Sequence, residues 1–208
     1  GLVIDTTSAA SPVIFLVISE IMVKVVTTFN FSFASNSKFI KKTETKLDES
    51  NIAETQESEN PTYNSNIIKD IKYTTKDADG NEYIITALQG EVDFSDPNTL
   101  YLVNVKALIK LKSSEHINIT SDFGKYNSEN FDTIFSRNVI IKYLSNRITG
   151  EYLDFSLNRN SMTISRNVTY NNLKNTLKAD VIELNIDTKD TKIFMYEKEK
   201  KVNIKSKN

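Results

Sequence analysis

The chain of 208 residues carries 26 Lys and Arg against 27 Asp and Glu, a net charge of −1, with no Cys, one His and only 5 Gly and 3 Pro. Without cysteine there is no disulfide, thiolate metal site, iron–sulfur cluster or cysteine nucleophile, and His116 alone supplies neither a His-pair zinc site nor, with any ease, a Ser-His-Asp triad. The glycines (Gly1, Gly80, Gly90, Gly124 and Gly150) are too scattered for a phosphate-cradling loop, and the balanced charge gives no basic field for nucleic acid.

Residues 1–33 are apolar from Pro12 to Phe33, with only Glu20 and Lys24 charged in that stretch. About 20 such residues span a bilayer as a helix. Glu20 and Lys24 stand four apart, so a helix would pair them on one face. The segment reads as a membrane anchor. A cleaved signal segment is the alternative, although no Lys or Arg precedes Lys24. An apolar strand or an artefact of the gene model also stays open.

Residues 34–66 are polar and turn acidic through Asp48, Glu49, Glu54, Glu57 and Glu59. Such a composition buries too little surface to offset its ordering entropy, so a tether is expected. Residues 67–208 read as one β domain. Two-residue alternation recurs at Ile117-Asn118-Ile119-Thr120, Val139-Ile140-Ile141-Lys142-Tyr143, Leu153-Asp154-Phe155-Ser156-Leu157 and Ile182-Glu183-Leu184-Asn185-Ile186. Asn and Asp close these runs, supplying turns that the scarce Gly and Pro would otherwise supply. Asp77 to Glu82 has no calcium-loop register and reads as a solvated turn.

The runs repeat. Asn104-Val105, Asn138-Val139 and Asn167-Val168 fall roughly 30 residues apart. Each unit reads as a strand, an Asx turn, a strand ending on Asn-Val, then a third strand. Hairpins with one apolar face each must cover that face, which gives an open double-sheeted roll.

Three stretches carry a more specific likeness: Ile117 to Tyr126, Ser136-Arg137-Asn138-Val139, and Ile148 to Phe155. They resemble the OstA-type β-jellyroll repeats of lipopolysaccharide transport, which pair an Ala-Asp strand with a Gly-Asn-Val strand. Ala179-Asp180 is similar to the first half, and Asn138-Val139 and Asn167-Val168 to the second. Arg137 and Arg166 stand where those repeats have glycine. The order of anchor, acidic linker and single jellyroll resembles the LptC family.

That resemblance implies an all-β, OstA-like open jellyroll behind a transmembrane helix and a polar linker. It implies no enzyme activity, no cofactor and no metal. The implied protein sits in the inner membrane of a Gram-negative bacterium with its main domain in the periplasm. It takes lipopolysaccharide from an ABC transporter (LptB/LptF/LptG-like) and hands it to an LptA-like periplasmic jellyroll. Acyl chains need an apolar trough on the inward strand positions. The candidates are Ile117, Ile119, Phe123, Val139, Ile141 and Tyr143, followed by Leu153, Phe155, Ile164, Val168, Leu184 and Ile186. A packed core uses the same residue types, so both readings stand at this point. The C-terminal edge, with Ile193, Met195, Val202 and Ile204, is the candidate partner strand, since unpaired edges recruit other strands. The alternatives are a soluble LptA-like bridge and a structural β-repeat surface module without a ligand.

Overall fold

Alternation of period two puts every second side chain on one sheet face, and the computed structural model follows it. The described residues are 14, 16–25, 67–76, 80–130, 132–156 and 158–207. The expected linker lies outside them, as does most of the expected anchor. Helix α1 covers residues 16–25, with Ile14 also helical ahead of it. Among the described residues no helix is long and apolar enough to cross a membrane.

Ten antiparallel strands follow: β1 (Ile67–Lys76), β2 (Glu82–Val92), β3 (Thr99–Lys110), β4 (His116–Asn127), β5 (Thr133–Tyr143), β6 (Asn146–Ser156), β7 (Ser161–Asn171), β8 (Asn175–Asn185), β9 (Thr191–Phe194) and β10 (Asn203–Ser206). They form one open sheet in sequence order from β1 to β8. The last edge is shared. β9 pairs with Val181–Leu184 and β10 with Asn175–Lys178, so both lie along β8. β1 forms the opposite edge of the sheet among the described residues.

The expected Asx turns are present in a repeated form. One side-chain oxygen accepts from two successive backbone amides: Asp93 Oδ1 from Ser95 and Asp96 at 2.8 and 3.3 Å, Asn127 Oδ1 from Glu129 and Asn130 at 2.9 and 3.1 Å, and Asn185 Oδ1 from Asp187 and Thr188 at 3.0 and 2.9 Å. Asn172 Oδ1 does the same at the other end of the strands, to Lys174 at 2.9 Å and Asn175 at 2.7 Å.

The Asn-Val steps correct the expected three-strand unit. They do not end strands; they bend them. Arg137-Asn138 lies inside β5 and Arg166-Asn167 inside β7, and all four residues have positive φ, at 59°, 52°, 65° and 55°. The register jumps there, from Ser136↔Tyr152 to Val139↔Gly150 and from Ser165↔Val181 to Val168↔Ala179. These are β-bulges. Asn104 in β3, at φ 54°, marks the same position in the first unit. Buried positions keep one parity across the jump in β5 and β7, as at Phe135 and Val139, whereas they change parity in the partner strands β6 and β8, between Gly150 and Leu153 and between Val181 and Ile182; the extra residue keeps the inward positions of the paired strands in step. One apolar face therefore continues through the bend.

Left-handed backbone suits glycine and costs an L-residue roughly 1 kcal/mol. Arginine at both positions recovers part of that outside the sheet. The Arg137 guanidinium lies 5.2 Å from the Phe123 ring centroid and that of Arg166 lies 5.5 Å from Tyr152, contacts worth about 0.5–1 kcal/mol when exposed. Arg166→Gly is therefore expected to change stability by less than about 1 kcal/mol. Arg166→Val, β-branched at positive φ and without the ring contact, should lose about 2 kcal/mol. Urea denaturation of the two variants checks this; equal losses would contradict it.

Candidate functional site

The inner face of the sheet gathers nearly all the residues expected to line a trough. From β4 and β5 come Ile117, Ile119, Val139, Ile141 and Tyr143, all buried. From β6 and β7 come Leu153, Phe155, Ile164 and Val168, and from β8 and the turn after it Leu184 and Ile186. They belong to one continuous hydrophobic cluster.

Phe123 is a correction. It is 39% exposed and lies on the outer face under Arg137. The register irregularity between Thr120 and Phe123 shifts the alternation, so Gly124 and Tyr126 face inward in its place. The four edge residues split. Ile193 lies in β9 and Ile204 in β10, whereas Met195 and Val202 lie in the connection between these strands. All four pack partly buried against the cluster. Sequence reading passed over Ile109, Tyr126, Phe135, Ile148, Met162 and Tyr170, which share the inner face. Their alternation was visible: Phe135, Met162 and Tyr170 share the parity of the chosen residues in β5 and β7.

A buried sheet face needs a second layer. Among the described residues only the facing part of the same curled sheet and α1 can supply it. Ile14, Ile18, Ile21, Met22 and Val25 are each no more than 2% exposed and belong to the same cluster as the strands. At 100° per residue these five fall in an arc of about 100°, one helix face. Leu16 and Glu20 lie on the other side and are exposed.

Polar contacts hold the flanks of α1 to opposite ends of the strands. Thr191 Oγ1, at the start of β9, donates to Ser19 Oγ at 3.0 Å. Across the sheet, Lys24 donates to the Tyr143 hydroxyl, sits 4.6 Å from that ring's centroid, and reaches Glu115 Oε2 at 3.7 Å. The Tyr143 hydroxyl in turn donates to Glu115. That bond, with the Lys24 charge nearby, holds the Glu115 carboxyl below its ordinary range. Glu20 and Lys24 do pair on one helix face, at 3.0 Å.

Among the described residues the inner face of β4 to β8 is closed to solvent. A cavity of about 20 Å³ bordered by Ile85, Leu102, Val105, Tyr126 and Phe135 has room for roughly one water. Burying five large apolar side chains of α1 gains about 10 kcal/mol. Fixing the backbone over residues 16–25 costs about as much. The helix is seated with little net energy.

The described residues thus form an open antiparallel sheet of bulged hairpin repeats with a continuous apolar inner face. The family comparison gives this arrangement its name. Residues 35–204 match the model of the family described as "Lipopolysaccharide-assembly, LptC-related", and the chain belongs to that family. It is a transport family, not an enzyme family. The match begins ahead of β1 and ends within β10. No curated protein matches the chain significantly.

Truncating an inward and an outward phenylalanine tests the assignment of faces. Phe155→Ala should lose about 3–5 kcal/mol of unfolding free energy. Phe123→Ala, which removes an exposed ring and its contact with Arg137, should lose about 1 kcal/mol or less. Chemical denaturation reads both, and a larger loss at Phe123 would contradict the placement.

Proposed function

We propose that the trough carries the acyl chains of lipopolysaccharide during its transport across the periplasm. The observation that supports this most is the unbroken apolar inner face of an open sheet, kept in phase through each bend by the bulges. A sheet closed into a barrel would hide its edges; this one is open, with β1 at one side and the short β9 and β10 at the other. Free edges offer backbone groups for strand addition.

In this reading residues 1–33 hold the chain at the inner membrane of a Gram-negative cell, and the sheet stands in the periplasm. One edge meets the periplasmic part of an LptB/LptF/LptG-like ABC transporter, which delivers the lipid. The C-terminal edge, with Ile193, Met195, Val202 and Ile204, meets an LptA-like jellyroll, which receives it. The protein performs no chemistry on the lipid and uses no cofactor. Its contribution is a dry surface on which acyl chains move without meeting water, at about 25 cal/mol per Å² of apolar area kept buried.

Photoreactive phenylalanine at Phe155 and at Tyr143 should capture lipopolysaccharide in cells, whereas the same group at the outward Phe123 should not. Absence of adducts at both inner positions, or equal yield at Phe123, would overturn the reading. Deleting residues 191–208 should abolish binding to the downstream jellyroll and leave membrane association intact; a pull-down and carbonate extraction read the two effects.

A further inference from the structure

We propose that α1 is a displaceable occupant of the trough, so that lipid enters only by expelling the protein's own helix. The inference rests on the lipid-carrying reading above and concerns the regulation of that same site. Three observations carry it. The helix turns Ile14, Ile18, Ile21, Met22 and Val25 into the cluster that contains the candidate lipid-lining residues, with no more than 2% exposure each. Its flanks are tied to opposite ends of the strands, by Ser19 to Thr191 and by Lys24 to Tyr143 and Glu115. The candidate lipid-lining residues Ile117, Ile141 and Leu184 are themselves at most 1% exposed, so no acyl chain reaches them in this arrangement. Helix and lipid therefore exclude one another.

The device is a reversible strap. A branched aliphatic ridge fills the volume that acyl chains would fill, and keeps an empty carrier from exposing its apolar face to water or to other chains. The ties named above are polar and lie at the strand ends, so they set the helix position. The same apolar ridge is the part of residues 1–33 that would face hydrocarbon in a bilayer. Release from the trough and seating in the membrane are thus two positions of one segment. A carrier with its trough-competent state only fractionally populated binds lipid more weakly by that fraction.

The chain has no native cysteine, so an introduced pair reports on one distance alone. In the full-length double variant Ser19→Cys with Thr191→Cys, whose native oxygens lie 3.0 Å apart, mild oxidation should form a disulfide in the lipid-free protein. A control pair, Ser19→Cys with Ser95→Cys, should not form one. Purified lipopolysaccharide added before oxidation should lower the disulfide yield. Once locked, the variant should take up at least tenfold less labelled lipopolysaccharide, and reduction should restore uptake. Ile18→Asp, which removes the helix from the apolar cluster, should reach half-loading at about tenfold lower lipid concentration, with the urea midpoint of the sheet as the check that it remains folded. No disulfide above the control overturns the seating of α1. A disulfide with equal lipid uptake in locked and reduced protein overturns the strap and leaves the carrier reading intact. No uptake in either state, despite a disulfide that forms, overturns the carrier reading itself.

Discussion

Everything in this fold follows from one constraint: an antiparallel sheet with a single apolar face is unstable until that face is covered. Strands β3 to β8 each turn alternate Ile, Val, Leu, Phe, Met and Tyr residues to the same side. The strands meet the constraint by bending, and the bend is built from two-residue bulges. The jumps at Ser136/Val139 and Ser165/Val168 keep the inward positions of β5 and β7 paired with those of β6 and β8, whose buried positions change parity at the bend. The Asx turns then hold the strand ends together with side-chain oxygens, where glycine turns would have left more backbone freedom.

The bulges also place strain and its relief on opposite sides of the sheet. Positive φ at Arg137 and Arg166 is a backbone cost on the inner bend. Stacking on Phe123 and Tyr152 is a gain on the outer surface. The pairing explains why an outward aromatic sits beside each bulge, and why Phe123 does not belong to the trough although its strand neighbours do.

Much of the fold was legible in the sequence. The alternating runs at Ile117, Val139, Leu153 and Ile182 are strands of the one sheet, and the Asn-rich stretches are its turns. Eleven of the twelve trough residues face inward, since period two fixes them within an unbroken run. Phe123 was misplaced because a bulge changes phase without changing composition: nothing in Ser121-Asp122-Phe123-Gly124 marks the shift, and only the partner strand reveals it. The Asn-Val steps were visible as a repeat, yet their meaning as bends inside continuous strands depends on backbone dihedrals that residue types only permit. The spacing of Ile14, Ile18, Ile21, Met22 and Val25 was available too, but a long apolar segment satisfies a helix-face pattern whether it lies in a bilayer or against a sheet.

The trough and α1 join the fold to its use. A carrier of apolar chains must bury its inner face when empty and open it when loaded, and a short amphipathic helix with rim contacts meets both needs. Membership of the LptC-related family points to lipopolysaccharide as the cargo class, and the competition we propose rests on the seating of α1 in the apolar cluster. Amide hydrogen exchange of the full-length protein, followed as lipopolysaccharide is titrated, tests that competition most directly. The account predicts that residues 16–25 are protected in the lipid-free protein and lose protection with loading, while the amides of β4 to β7 stay protected. Protection of residues 16–25 that is absent from the start, or unchanged at saturating lipid, would contradict it.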